Sequence, residues 1–157
     1  MIKGIDDSKK LSLGRREELF EQIQQQALAI GVSEISHERI DEVNILQATL
    51  DAMTDAVGKL HISPEHILVD GLHYRKGIIP YTTIIDGDAK CCSIAAASII
   101  AKVLRDKKML ELDLKYPQYG FAKHKGYGTK EHLDAIRKYG PCEIHRRSFR
   151  MPAKEEV

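Results

Sequence analysis

HILVDG (His66–Gly71) and the longer run YTTIIDGDAKCCSIAAASIIAKVLRD (Tyr81–Asp106) decide the fold. Each opens with a short aliphatic or β-branched stretch, His66–Val69 and Tyr81–Ile85, that reads as a strand and stops at an Asp-Gly pair. The second run then predicts a long helix from about Lys90 to Leu112, whose Ala-rich first half can pack closely on a sheet. Strands alternating with helices in this way predict an α/β fold.

The flanks add elements of the same kind. Ser12 is placed to cap a helix running to about Ala27, with Leu19, Phe20, Ile23 and Ala27 on one face. Leu28–Ile35 (LAIGVSEI) reads as a third strand, leading into a polar turn at Ser36–Arg39. From Asp41, the recurrence of Val43, Leu46, Leu50, Met53 and Val57 predicts a second amphipathic helix ending at Gly58. Beyond the long helix, Tyr116–Gly128 reads as a loop, and Thr129 caps a last helix to about Lys138, stopped by Gly140-Pro141. No repeat or linker interrupts residues 1–157, so a single domain is expected.

Composition narrows the class. The 157 residues are 43% hydrophobic and 30% charged, which disfavours a disordered or fibrous chain. The longest apolar run, Ser93–Ala101, falls far short of the roughly 18 residues a membrane span needs. With no basic-then-apolar start, a cytoplasmic protein without a membrane partner is expected. Three cysteines, Cys91, Cys92 and Cys142, form neither a disulfide framework nor a paired zinc spacing, and Cys91 and Cys92 read as small buried hydrophobes. Residues 1–101 carry a net charge of −5 and residues 102–157 a net of +6. The basic third suits a phosphate-rich partner and the acidic remainder suits cations, although solvated helix faces would give the same asymmetry.

Two clusters stand out. Asp70 and Asp88, with Asp86 beside the second, follow the two strands, and in α/β sheets ligands gather beyond the strands' carboxyl ends. Oxygen ligands there suit Mg²⁺ or Mn²⁺; ordinary Asp-Gly turns at strand ends are the plainer explanation. The loop Tyr119–Thr129 (YGFAKHKGYGT) offers Lys123 and Lys125 to phosphates, Gly126 and Gly128 for close approach, and Tyr119, Phe121 or Tyr127 for stacking; such loops also cover cores. His145–Arg150 (HRRSFR) adds cations, or is a basic tail with Phe149 tucked inward. His37, His61, His66, His73 and His132 read as surface or turn residues. No hydrolase elbow or phosphate-loop motif is present.

Taken together, DDSKKLS (Asp6–Ser12), VDG (Val69–Gly71), GDAKCCSIAAASIIAKVLRD (Gly87–Asp106), YPQYGFAKHKGYGTKEH (Tyr116–His132) and HRRSF (His145–Phe149) resemble the ribonuclease HII family, in order and over nearly the whole chain. The resemblance implies a ribonuclease H-like mixed sheet flanked by helices. It also implies an endonuclease that hydrolyses the RNA strand of RNA–DNA hybrids and cuts at ribonucleotides embedded in duplex DNA, leaving a 3′-hydroxyl and a 5′-phosphate. The implied chemistry is two-metal-ion catalysis with Mg²⁺ or Mn²⁺, in a cytoplasmic monomer of DNA replication and repair. Asp70 and Asp88 match two of the family's four catalytic carboxylates. Tyr127 matches the tyrosine that packs on the deoxyribose at the RNA–DNA junction. Ser8 and Lys9 match a segment beside the substrate groove; Lys125 and Arg146 are taken as further substrate contacts.

The family's opening is not matched. Its first strand with an adjacent Asp-Glu pair, the glycine–arginine turn after it and a second strand are not found here; Gly4-Ile5-Asp6-Asp7 is followed by Ser8-Lys9-Lys10. The resemblance therefore implies a fold lacking the family's first two strands, with the central strand gone from between those kept. This chain by itself is then expected to show essentially no cleavage, and a non-catalytic nucleic-acid-binding fragment is the alternative.

Overall fold

A computed structural model describes residues 2, 4, 5 and 11–152. The chain divides into two compact units, Met1–Ile35 with Leu46–Val103 and Ser36–Ile45 with Leu104–Val157. Among the described residues no helix is long and apolar enough to cross a membrane.

In the first unit, α1 covers Leu13–Gln26 and starts as the sequence predicts: the Ser12 hydroxyl accepts from the Arg15 N–H. Leu19, Phe20 and Ile23 are its buried stripe, joined by Arg16, whose guanidinium donates to the Leu11 carbonyl. Two parallel strands follow, β1 (Ile67–Asp70) and β2 (Tyr81–Ile84). They pair directly with one another, Ile67 opposite Tyr81 and Asp70 opposite Ile84, so no strand lies between these two. The Gly71 N–H extends the ladder to the Ile84 carbonyl, and the connection over 71–80 contains no helix.

The expected strand over Leu28–Ile35 does not form, and the described sheet has two strands rather than three. A strand is held by its neighbours' hydrogen bonds, and among the described residues β1 and β2 form a two-stranded sheet with each other. Leu28 is 84% exposed, so the segment's apolar letters do not mark a buried strand. Gly31 instead lies hard against the Ala56 carbonyl, where a Cβ would come within 2.0 Å of the oxygen. The predicted turn at Ser36–Arg39 is instead the start of a helix: α2 covers His37–Gly58, and the Ser36 hydroxyl caps it by accepting from the Arg39 N–H. Asn44, with φ 70 and ψ 166, breaks α2 near its start.

After β2, a one-turn helix α3 (Gly87–Lys90) precedes α4 (Cys92–Lys115). On α4, Ala95, Ile99 and Val103 are buried at four-residue steps. The predicted loop from Tyr116 holds a 3₁₀ turn (Pro117–Tyr119) and the one-turn α5 (Phe121–His124), and α6 (Lys130–Tyr139) follows its Thr129 cap. The core of the second unit is Tyr119, Phe121 and Ile136, with Met109, Leu112, Tyr116, Ile144 and Cys142 packed against it.

Candidate functional site

The first unit brings Asp70 and Asp88 to one sheet edge. Asp70 is the last residue of β1, and its register partner Ile84 is the last of β2, so both strands point their carboxyl ends the same way. Asp86, in the left-handed region at φ 54, turns the chain out of β2, and the Gly87 N–H then donates to Asp70 Oδ1 at 2.8 Å. That bond ties the acid of one strand to the residue before the acid of the next. Gly87 is buried and has no room for a side chain: a Cβ would stand 2.6 Å from Ile94 Cδ1 and 3.2 Å from Asp70 Oδ1. Asp88 sits in the first turn of α3 rather than in a loop.

These residues suit a hard divalent cation in kind. Both donors are carboxylate oxygens, and the bond to Gly87 engages only one oxygen of Asp70. In number they make a partial set, because among the described residues no three His, Cys, Asp or Glu side chains are grouped to hold a metal ion. Close by, Cys92 is exposed rather than buried as expected, while Ser93 and the first amides of α4 hold the Cys91 thiol below its usual range.

The second unit sorts the candidate stacking residues. Tyr119 and Phe121 are 4% and 3% exposed and stack on each other with ring centroids 5.5 Å apart, so they are core. Tyr127 is 57% exposed. The Arg105 guanidinium lies 5.8 Å from the centre of its ring and donates to the Lys125 carbonyl at 3.2 Å. Lys125 itself takes φ 52, turning its backbone into the left-handed region just before Gly126 at φ 77. Lys123 is engaged by Glu131.

Arg146 stacks over Phe149 with its guanidinium carbon 3.6 Å from the ring centre, and Phe149 remains 38% exposed rather than tucked into the core. Burial, and then the charge of Arg105, push the Arg146 pKa down, with Asp41 opposing. Asp41 secures this turn: its carboxylate accepts from the Arg147 N–H at 2.6 Å, the Ser148 N–H at 2.9 Å and the Ser148 hydroxyl at 2.6 Å. These bonds, led by that of the Ser148 hydroxyl, hold the Asp41 carboxyl below the ordinary range. Ser8 and Lys9 lie outside the described residues.

Sequence reasoning missed Arg105, Asp41 and a set of buried histidines. His132, expected at the surface, is 7% exposed and meets His145, itself 8% exposed, with 3.2 Å between their Nε2 atoms. Burial lowers the pKa of both, that of His145 to about 4; the charge of His124 adds to the effect at His132, and that of His132 at His145. One signal was available: His132 precedes the buried Ile136 by four residues and so shares its face of α6.

Parallel strands with acids at their carboxyl edge, followed by a long helix, define an α/β protein, and its likeness to a solved structure makes the architecture ribonuclease H-like. A crystal structure of the ribonuclease H2 from Pyrococcus horikoshii OT3 superposes with a TM-score of 0.77 at 28% identity, over 93% of this chain and 77% of that one. The profile of the family described as Ribonuclease HII matches residues 2–151. Among curated relatives, a ribonuclease HII of Acholeplasma laidlawii is 57% identical over 150 residues, 96% of this chain and 73% of that protein. Ribonuclease HII of Bacillus cytotoxicus is 53% identical over 156 residues, 99% of this chain and 60% of that protein. The chain belongs to the ribonuclease HII family. It spans 60% to 73% of the length of these relatives.

Proposed function

We propose that the protein is a metal-dependent endonuclease that hydrolyses the RNA strand of RNA–DNA hybrids and cuts at ribonucleotides embedded in duplex DNA. The observation that carries this reading is the bond from the Gly87 N–H to Asp70, which ties the acid at the end of β1 to the residue before Asp88. Asp70 and Asp88 would hold Mg²⁺ or Mn²⁺, with water and substrate oxygens filling the rest of the shell. Bound there, such a cation offsets phosphate charge and acidifies water for attack, the chemistry of a two-metal-ion nuclease. The two carboxylates would orient that charge against the scissile phosphate. Lys125 and Arg146 would contact the strand's phosphates, and the Tyr127 ring would pack on the sugar at the junction, where a missing 2′-hydroxyl is sensed. Ser8 and Lys9 are assigned phosphate contacts. The same reading makes this a single-domain, cytoplasmic monomer of DNA replication and repair.

One observation favours a second reading, a nucleic-acid-binding module without cleavage: two acids are a partial ligand set among the described residues. Cleavage of a duplex with one ribonucleotide by the full-length protein, with Mg²⁺ or Mn²⁺ and with EDTA, separates the two. Metal-dependent cuts that are lost in Asp70→Asn support the nuclease. Binding without cutting supports the module.

A further inference from the structure

The histidines of the second unit form a directed chain of hydrogen bonds, and their partners settle which nitrogen carries each proton. His132 Nδ1 lies 3.0 Å from the Tyr127 carbonyl oxygen, which can only accept, so the proton is on Nδ1 and Nε2 is an acceptor. His145 Nδ1 accepts from the Cys142 N–H at 3.0 Å, so its proton is on Nε2, facing His132 Nε2 at 3.2 Å. The bonds therefore run one way, from the Cys142 amide through His145 and His132 to the carbonyl of Tyr127. His124 completes the arrangement. It stacks on His132 with centroids 4.3 Å apart, donates from Nε2 to the Tyr119 carbonyl and accepts on Nδ1 from the Gly126 N–H.

Between Lys125 and Tyr127 the backbone is held at nearly every polar group. The Lys125 carbonyl takes Arg105, the Gly126 N–H takes His124, and the Tyr127 N–H donates to the His124 carbonyl at 2.9 Å. The ring of Tyr127 nevertheless stands exposed. A fixed backbone carrying an open ring is a preformed platform.

Resting on the nuclease reading above, we propose that His132, its tautomer dictated by His145, is a positioning residue that fixes the Tyr127 backbone so that the ring meets the sugar at the RNA–DNA junction in one orientation. It touches no substrate; it acts through the Tyr127 carbonyl. Ordinary core histidines would contribute stability alone, so the proposal is separable from that role by specificity.

Two measurements on the full-length protein decide it. Imidazole nitrogen shifts in the unaltered protein at pH 7 are expected to show neutral His132 protonated at Nδ1 and neutral His145 at Nε2; the opposite tautomer at either overturns the chain. His132→Leu removes the donor, whereas His132→Asn keeps an N–H near the Nδ1 position. His132→Leu is expected to move the Tyr127 amide resonance and to lower kcat/KM on a single embedded ribonucleotide about tenfold, with less than about twofold change on a continuous hybrid. His132→Asn should restore most of both. An unmoved Tyr127 resonance, equal loss on both substrates, or no recovery in His132→Asn overturns the positioning role. Should the unaltered protein cut neither substrate, the nuclease reading has failed, and the resonances of His132 and Tyr127 still decide whether the platform exists.

Discussion

Asp70 and Tyr127 are both exposed, yet they are held in opposite ways. Asp70 is tied by one backbone bond to Gly87, the residue before Asp88, and only one of its carboxylate oxygens takes part in that bond. The Tyr127 backbone is gripped by the His124 carbonyl, the Thr129 N–H and His132, with Arg105 on the Lys125 carbonyl two residues before it, and the imidazoles that hold this turn are buried. The difference follows from the ligands each would meet. A divalent cation keeps much of its water and brings its own charge, so two carboxylates at one edge would supply part of its shell and leave the rest to water and substrate oxygens. A sugar ring brings little charge, and selectivity for it depends on geometry prepared in advance.

Breaking the acid cluster should have the largest effect. Asp70→Asn or Asp88→Asn keeps the size but removes the charge that faces the cation, and cleavage by the full-length protein should fall by at least about 100-fold, with little change in hybrid binding. A variant turning over near the wild-type rate would remove that residue from the site. Next comes the platform. Tyr127→Ala loses stacking worth roughly 1–3 kcal/mol, about 5- to 150-fold in cleavage at a single ribonucleotide, and should lose less in hybrid affinity. Equal losses in both would mean that the ring holds the loop rather than reading the substrate. Arg146→Ala sharpens the contrast from the electrostatic side: the slope of log binding constant against log salt should shrink by about 1, the mark of one lost phosphate contact. An unchanged slope would make Arg146 a partner of Phe149 alone.

The smallest effect expected is on stability against pH. His145 titrates near 4 in the folded protein against an ordinary 6.5, because burial and then the charges of His132, Arg147 and His37 disfavour its proton. The unfolded chain therefore takes up a proton that the folded one refuses between about 6.5 and 4. Stability should be flat above pH 6.5 and fall as pH drops through that window, by a few degrees in melting temperature. In His145→Asn the fall should flatten; an equal slope in both proteins would place the titration elsewhere.

What could be read from the letters follows from which forces are local. The Ser12 and Thr129 caps, the β-branched run of Tyr81–Ile84 and the α1 stripe each declare themselves within a few residues. That Asp70 closes β1 and Asp88 follows β2 was legible because a strand end is a local signal. Leu28–Ile35 misled because a strand needs a neighbour that its own residues do not name. The histidine chain joins residues 124, 132 and 145 at spacings that match no ligand motif, and Asp41 reaches residues more than a hundred positions away; only the folded backbone makes either contact.

The pairing of β1 with β2 carries one more consequence, for the order in which the chain assembles. Their residues meet at a constant separation of fourteen positions, Ile67 with Tyr81 through Asp70 with Ile84. Parallel ladders usually wait on long crossovers, and long-range closure is what slows their formation. Here the loop to be closed is short, so its entropy cost is small and the ladder can form from a contiguous segment of chain. The edge that carries both acids is in this sense a local structure, available early in folding, whereas the Tyr127 platform must wait until α6 and the turn at His145 have met.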